Sequence, residues 1–470
     1  MKYKPTIGLE VHAELATKSK MFCGCKNEPH GSEPNTHVCP VCLAHPGSLP
    51  VANESAIEMV LRFGAAIGAV RADYSEFDRK NYFYPDIPKA YQISQYQYPF
   101  LTGGSLRDVA LTRVHLEEDT ARSSHELVDG SLVDFNRAGV PLMELVTEPV
   151  LQSAAAAGAF ARELQLLLRT LGISDANMER GEMRIEVNLS LSETDELGTK
   201  VEVKNINSFK AVEAAIAYEI VRQTELLEAG GELAQETRGW DENKAQTFSQ
   251  RSKETAKDYR YFPDPDLPKM QLVALERFSP ASLAEKIPLL PEKKREIYSN
   301  YNIPADTVET IIADPRLDTF FAQVALVAKD QTLVLKLAAN YVTVDIAGLQ
   351  ASGEFDLSAV CPRLFLDLMV LVHNKQIGSR NAKDFLPYLP NLQGDMQKIA
   401  ADRGLLQLSN ESDLLLLVTQ VIQENPDPVA GYKAGKQPLL KFLVGQGMKL
   451  SKGAANPQVL EKLFISEINK

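Results

Sequence analysis

The stretch "IGLEVHAEL", residues 7–15, decides how the first half of this chain is read. Apolar Ile7, Leu9, Val11, Ala13 and Leu15 alternate with Gly8, Glu10, His12 and Glu14. A period of two places successive side chains on opposite faces of an extended chain, so the segment reads as a β-strand with one buried face. Its polar side carries a histidine between two carboxylates. That side faces either water or a cavity, and in a cavity the same residues are candidate ion ligands.

The pattern recurs further along. In "EMRIEVNLSL" (182–191), Met183, Ile185, Val187 and Leu189 form an inward set opposite Arg184, Glu186 and Asn188. "TKVEVKNIN" (199–207), with Lys204 and Asn205, alternates again, which predicts a hairpin around 192–198. "TRVHLEED" (112–119) reads as a strand ending in Glu117, Glu118 and Asp119. "GVPLMELV" (139–146) sets Glu144 alone among apolar neighbours, where a carboxylate without a partner is costly. Helical spacing and stop signals predict helices over 54–69, over 154–172 ended by Gly172, and over 209–231 ended by Gly-Gly. Strands and helices mix without a βαβ rhythm, so the expected class is α+β with a largely antiparallel sheet. One weak echo exists between "YFYPDIPK" (82–89) and "YFPDPDLPK" (261–269), read as recurrent Pro-bounded turn chemistry rather than duplication.

A chain of 470 residues exceeds one ordinary core. "IPLLPEKKREIY" (287–298) marks a boundary, after which short helices follow and then a turn-rich helical tail. The expected organisation is 1–292, 293–405 and 406–470. The 44% hydrophobic and 24% charged composition suits a soluble globular protein. No apolar run is read as long and charge-free enough to span a bilayer, and "MKYKPTIGLEV" carries no signal or transit features, so a cytoplasmic protein is expected. A net charge of −12 argues against non-specific nucleic-acid binding over the whole surface. Residues 433–470 nevertheless hold seven lysines (433, 436, 441, 449, 452, 462, 470) against two glutamates, a local basic patch.

Cys23, Cys25, Cys39 and Cys42 cluster within twenty residues. In a reducing compartment such spacing favours a closed tetrahedral zinc site of structural type over disulfides. His30, His37 and His45 lie near enough to replace one thiolate. Carboxylates and a histidine on neighbouring strands suit a hard cation such as Mg²⁺, with Lys and Arg opposite them suited to phosphate. For each residue singly, a solvated strand face is the ordinary reading; Glu144 carries the case for a site. The sequence has no G-x-x-x-x-G-K-[ST] loop, no strand-linked G-x-G-x-x-G and no nucleophile elbow. A bound nucleotide would therefore be held by a sheet-based metal site.

Together, "IGLEVHAEL", "SKMFCGC", "NTHVCPVCLAHPGSLP", "FDRKNYFYPDIPKAYQISQY", "HLEED", "VDFNRAGVPLMELVTEP", "VKNINSF", "QETRGWDE", "RSKETAKDYRYFPDPDLP" and "LVGQGMKLSKGAANP" resemble the GatB family, one of the subunit types of the aspartyl/glutamyl-tRNA amidotransferases. The resemblance runs from the first strand to the last helix. It implies a glutamine-synthetase-like cradle (1–292, with the zinc knuckle at 23–42), a helical linker domain (293–405) and a helical tRNA-binding tail (406–470). It implies ATP-dependent transamidation of Glu-tRNA(Gln) and/or Asp-tRNA(Asn), through phosphorylation of the side-chain carboxylate. Ammonia comes from a partner glutaminase, GatA, held by a small third protein, GatC. Carried over by motif, the implied Mg²⁺ ligands are His12, Glu118 and Glu144, with Glu10 beside them as a catalytic residue. Glu118 is taken over Glu117 as the second Glu of "EED". The implied zinc ligands are Cys23, Cys25, Cys39 and Cys42, and Arg184, Lys204 and Asn205 are candidates for ATP phosphates or substrate. Glu186, where Asp is expected, and "EEDTARS" for "EEDAGK" depart from the family pattern. The competing reading is a zinc-containing tRNA-binding scaffold, which needs no buried ion site.

Overall fold

Lys4–Glu14 forms the predicted strand, β1, with Ile7, Leu9, Val11 and Ala13 in the core. The computed structural model describes residues 2–127, 130–252, 258–329, 331–353, 355–407, 411–451 and 455–470. The chain divides into two units, Met1–Pro291 and Glu292–Lys470.

In the first unit, chain order continues with α1 (Glu54–Ala66), β2 (Asp78–Asn81), β3 (Tyr91–Ser94), β4 (Leu101–Thr102), β5 (Val109–Glu118) and β6 (Pro141–Thr147). Then follow α2 (Ala154–Thr170), β7 (Met183–Ser192), β8 (Val201–Ile206), α3 (Phe209–Glu228), β9 (Glu236–Asp241), β10 (Gln246–Ser252) and β11 (Phe262–Pro263). The main sheet runs β10-β9-β8-β7-β1-β6-β5-β4 and ends on Val70–Arg71. Its pairs are antiparallel except β8 with β9. This is the expected α+β class, with β7 and β8 paired antiparallel as predicted.

Local chemistry explains the helices that close one face. Ser153 and Ser208 cap α2 and α3, accepting from the amides of Ala156 and Ala211. Gly172 and Gly230 adopt the left-handed backbone that ends each helix. In α1, Gly64 lies directly against Leu101 of β4, so its lack of a side chain serves close packing. Phe160, Leu164, Leu168, Val212, Ala215 and Ile216 join the apolar faces of β1, β6 and β7 in one core. The opposite sheet face is left to polar residues, and there the site lies.

The second unit is helical. At its start Lys294 and Tyr298 converge on Asp318. Its last four helices, Glu411–Glu424, Pro426–Lys433, Pro438–Leu450 and Pro457–Ile468, share a core of Leu414, Val418, Leu443, Leu460 and Phe464. Lys452 of the basic patch, and 253–257 of the "RSKETAK" motif, lie outside the described residues. One expectation needs correction. Thr332–Ala351 is a continuous helical run, by length and composition apolar enough to cross a membrane. Apolar and polar residues mix along it, so it holds no unbroken apolar run of that length. Leu335, Ala338, Val342 and Ile346 are fully buried in the unit, while Leu333 and Val344 are exposed.

Candidate active site

Strand register assembles the site. Across β7, β1, β6 and β5 it sets Arg184 opposite His12, His12 opposite Glu144, and Glu144 opposite His115. The four side chains make one row on the open sheet face, because directly opposed residues share a face. The neighbouring rows carry Glu186 and Glu10 on one side and Glu117 on the other. Glu144 Oε2 lies 3.3 Å from the Nε2 atoms of both His12 and His115, and His12 Nε2 is 3.9 Å from Glu117. The sequence problem of a lone apolar-framed glutamate is thus answered by two imidazoles.

The row opens into a cavity of about 1240 Å³. Lys80, Arg113, Arg184 and Lys204 line it beside Glu10, Glu186 and Glu202. Burial and the neighbouring charges of Glu144 and Glu186 push Glu10 up to about 7. Burial opposes a charge on His12, yet Glu144, Glu186 and Glu117 outweigh it and lift its pKa to about 9. His115 is raised to about 9 by the same balance, with Glu144 and Glu117 against burial. Glu144 is itself held well below the usual carboxylate range, burial notwithstanding, by His115 and His12. Arg184 Nη2 is fixed at 2.8 Å by Asp119, and Lys204 Nζ at 2.9 Å by Glu186.

Ligand atoms of Glu10, His12 and Glu144 lie within 4.8 Å of one another, and those of His115, Glu117 and Glu144 do likewise. A carboxylate whose proton affinity is raised by other carboxylates is one that a cation would relieve. The oxygen-rich donor set with imidazole suits a divalent ion.

Two sequence expectations need correction. Glu118 is not brought to this cluster. Alternation along β5 turns His115 and Glu117 to the cavity and Glu118 to the other side. There it accepts from Lys89 Nζ at 2.8 Å and from the Ile93 amide at 3.0 Å. Glu117 takes its place, accepting from Ser94 at 2.9 Å. Asn205 is exposed and does not line the cavity. A one-residue register shift between β7 and β8 makes it the extra residue of a bulge, with φ 62°. The bulge keeps Ile206 in the core.

His115 and Lys80 join Glu117, the alternative to Glu118 in "EED", on the cavity lining. The parity that marks Glu10 and His12, continued from His115 to Glu117, marks His115 and Glu117 as well. Nothing local marks Lys80.

The four cysteines converge, with their sulfurs within 4.8 Å of one another. Cys39 and Cys42 Sγ are 3.8 Å apart. A tetrahedral ion with bonds of about 2.3 Å demands about that edge length. Hydrogen bonding from Cys23, with the Cys39 amide and Lys20 close by, holds Cys42 down to about 4 despite burial. His30 turns instead to Glu14 at 3.2 Å, and His37 to Ser32 at 3.0 Å.

Comparison with known proteins agrees with this arrangement along the chain. Residues 5–275 match the family described as GatB/GatE catalytic domain, and residues 320–468 match the GatB domain family. A relative from Thermoanaerobacter sp. (strain X514), named as the B component of the aspartyl/glutamyl-tRNA(Asn/Gln) amidotransferase, is 41% identical over 483 aligned positions, covering 100% of both chains. A relative of the same name from Thermomicrobium roseum is 44% identical, covering 99% of this chain and 98% of its own. One from Caldanaerobacter subterraneus is 42% identical over the full length of both. With both family regions matched in order and full-length relatives above 40% identity, this chain belongs to the GatB family of tRNA amidotransferase subunits.

Proposed function

We propose that the cavity activates the side-chain carboxylate of Glu-tRNA(Gln) and/or Asp-tRNA(Asn) with ATP, so that ammonia converts it to the amide. The observation that carries this reading is the His12–Glu144–His115 row on the cavity floor, with Glu144 and His115 buried. A tRNA-binding scaffold has no use for it. A carboxylate repels nucleophiles. Transfer of the γ-phosphoryl group to one of its oxygens releases ADP, removes the charge and creates a leaving group. Ammonia then forms the C–N bond as phosphate departs with that oxygen. Such transfer depends on positioning and charge neutralisation more than on covalent catalysis by protein groups.

Glu10, His12, Glu117 and Glu144 are the residues that would hold Mg²⁺, whose chemistry there is to neutralise and align phosphate oxygens. Arg184 and Lys204 are anchored by Asp119 and Glu186. They therefore offer positive charge at fixed places on the same floor. Lys80 lines the cavity facing Glu117 and Glu144. The cavity exceeds the roughly 300–1,000 Å³ typical of a single small-molecule site, which suits two substrates held together.

The relatives' names describe one component of a larger enzyme, and the sequence lacks a nucleophile elbow. Both support a separate glutaminase, GatA, as ammonia source, with GatC as the third component. The cysteine cluster is read as structural zinc, residues 293–405 as linker, 406–470 as the tRNA-contacting tail, and the cytoplasm as the compartment.

The test uses Glu-tRNA(Gln) labelled with ¹⁸O in both side-chain carboxylate oxygens. One label should be recovered in inorganic phosphate and one in the amide. Phosphate free of label would overturn the reading.

A further inference from the structure

The two echoing loops converge on one place. Arg79 of β2 reaches Asp264 at 2.8 Å and Asp266 at 2.9 Å. β11 pairs with β2 through Phe262 and Arg79. The Asn81 side chain donates to the carbonyls of Tyr259 at 3.1 Å and Arg260 at 2.9 Å. These latches set the aromatic residues of both segments side by side on the cavity wall. Tyr96 and Tyr261 stack at 4.4 Å with planes 9° apart. Tyr259 meets Tyr261 edge-on at 6.0 Å, and Tyr82 meets Tyr259 at 5.9 Å. Phe83 and Tyr84 line the same cavity and remain 78% and 62% exposed.

Rings this exposed do not stabilise a core, yet they follow closely on Asn81, whose side chain is held by the Tyr259 and Arg260 carbonyls. Exposed aromatic faces beside cationic side chains are how proteins hold unpaired nucleobases, and Lys80, Arg113, Lys204 and Arg260 line this cavity together with its carboxylates. We infer that Tyr82, Phe83, Tyr84, Tyr96, Tyr259 and Tyr261 form a stacking platform for the unpaired 3′ end of the tRNA. The inference rests on the function proposed above and adds which residues receive that end. Two features favour an RNA end over the adenine of ATP. The most exposed rings, Phe83 and Tyr84, suit an RNA strand that continues into solvent, whereas a free nucleotide can be enclosed. Exposed Arg260 lines the cavity beside Tyr259 and Tyr261, where it can meet a backbone phosphate.

The test uses the full chain in its amidotransferase complex. Phe83→Leu/Tyr84→Leu removes two π-faces and keeps apolar bulk; Phe83→Trp/Tyr84→Phe keeps them. The probes are tRNA(Gln), the same tRNA lacking its terminal nucleotide, and ATPγS. The double leucine variant should bind intact tRNA about tenfold or more weaker, given the usual worth of a stacked base. Removing the terminal nucleotide should then weaken its binding little further, because both changes delete one contact. The aromatic variant should bind as wild type, and ATPγS affinity and thermal unfolding should not move. Wild-type tRNA affinity in the leucine variant overturns the platform. A loss confined to ATPγS also overturns it. Wild-type protein that binds neither probe overturns the proposed function as well.

Discussion

Glu117 and Glu118 are adjacent in the chain and face opposite sides of β5, so replacing each with glutamine separates two jobs. Glu118 is 4% exposed and its carboxylate takes a charge-assisted bond from Lys89, whose side chain is 15% exposed, as well as the Ile93 amide. Removing one partner of a buried ion pair costs about 3–5 kcal/mol. Glutamine keeps one acceptor and Lys89 retains some water, which places Glu118→Gln near the lower end, about 3 kcal/mol. At roughly 2–4 °C per kcal/mol, the first unit should melt roughly 6–12 °C lower. Glu117→Gln removes a charge from the cation cluster instead. A ligand carboxylate worth several kcal/mol corresponds to about 100-fold or more in affinity. Mn²⁺ titration followed by electron paramagnetic resonance, alongside thermal unfolding, reads both effects. Glu117→Gln should lose Mn²⁺ affinity and Glu118→Gln should keep it while losing stability. The reverse pattern would refute the face assignment.

Metal analysis of protein purified without chelators should find about one zinc per chain, lost in Cys42→Ser; zinc-free wild-type protein would count against the filled cluster. Deleting 406–470 should weaken tRNA affinity while sparing glutamine hydrolysis by the complex, and unchanged tRNA affinity would contradict the tail's role. Burial opposes the charge on Glu219, but Arg222, Thr247 and Gln223 hold its pKa below 4.5. Its contribution is therefore fully present above about pH 4.5 and lost as pH falls through the lower folded value. Glu219→Gln should be roughly 2–3 kcal/mol less stable near neutrality, with the gap to wild type closing in acid; a gap that widens below pH 4.5 would contradict this.

Period-two alternation was enough to find β1, β7 and β8, and an isolated glutamate among apolar residues was enough to single out Glu144. The same parity rule, followed along "VHLEE", places His115 and Glu117 on the cavity side. Position in the "EED" motif alone points to Glu118 instead. Asn205 could not be placed by alternation because a bulge inserts one residue and flips the face beyond it. Lys80 and the tyrosine wall were out of reach for another reason. They come together only through long-range pairing of β2 with β11, across more than 180 residues. Short-range pattern carries no record of that pairing, and the echo of "YFYPDIPK" in "YFPDPDLPK" begins just past the end of β2.

Glu144 carries the catalytic assignment most directly. In the complex reconstituted with the proposed partners GatA and GatC, Glu144→Ala should lower both ATP-dependent carboxylate phosphorylation and amide formation by about 10³-fold or more. Its tRNA affinity should stay within about twofold of wild type. Wild-type rates of both steps in a variant that still binds tRNA would contradict the catalytic assignment of the His12–Glu144–His115 row.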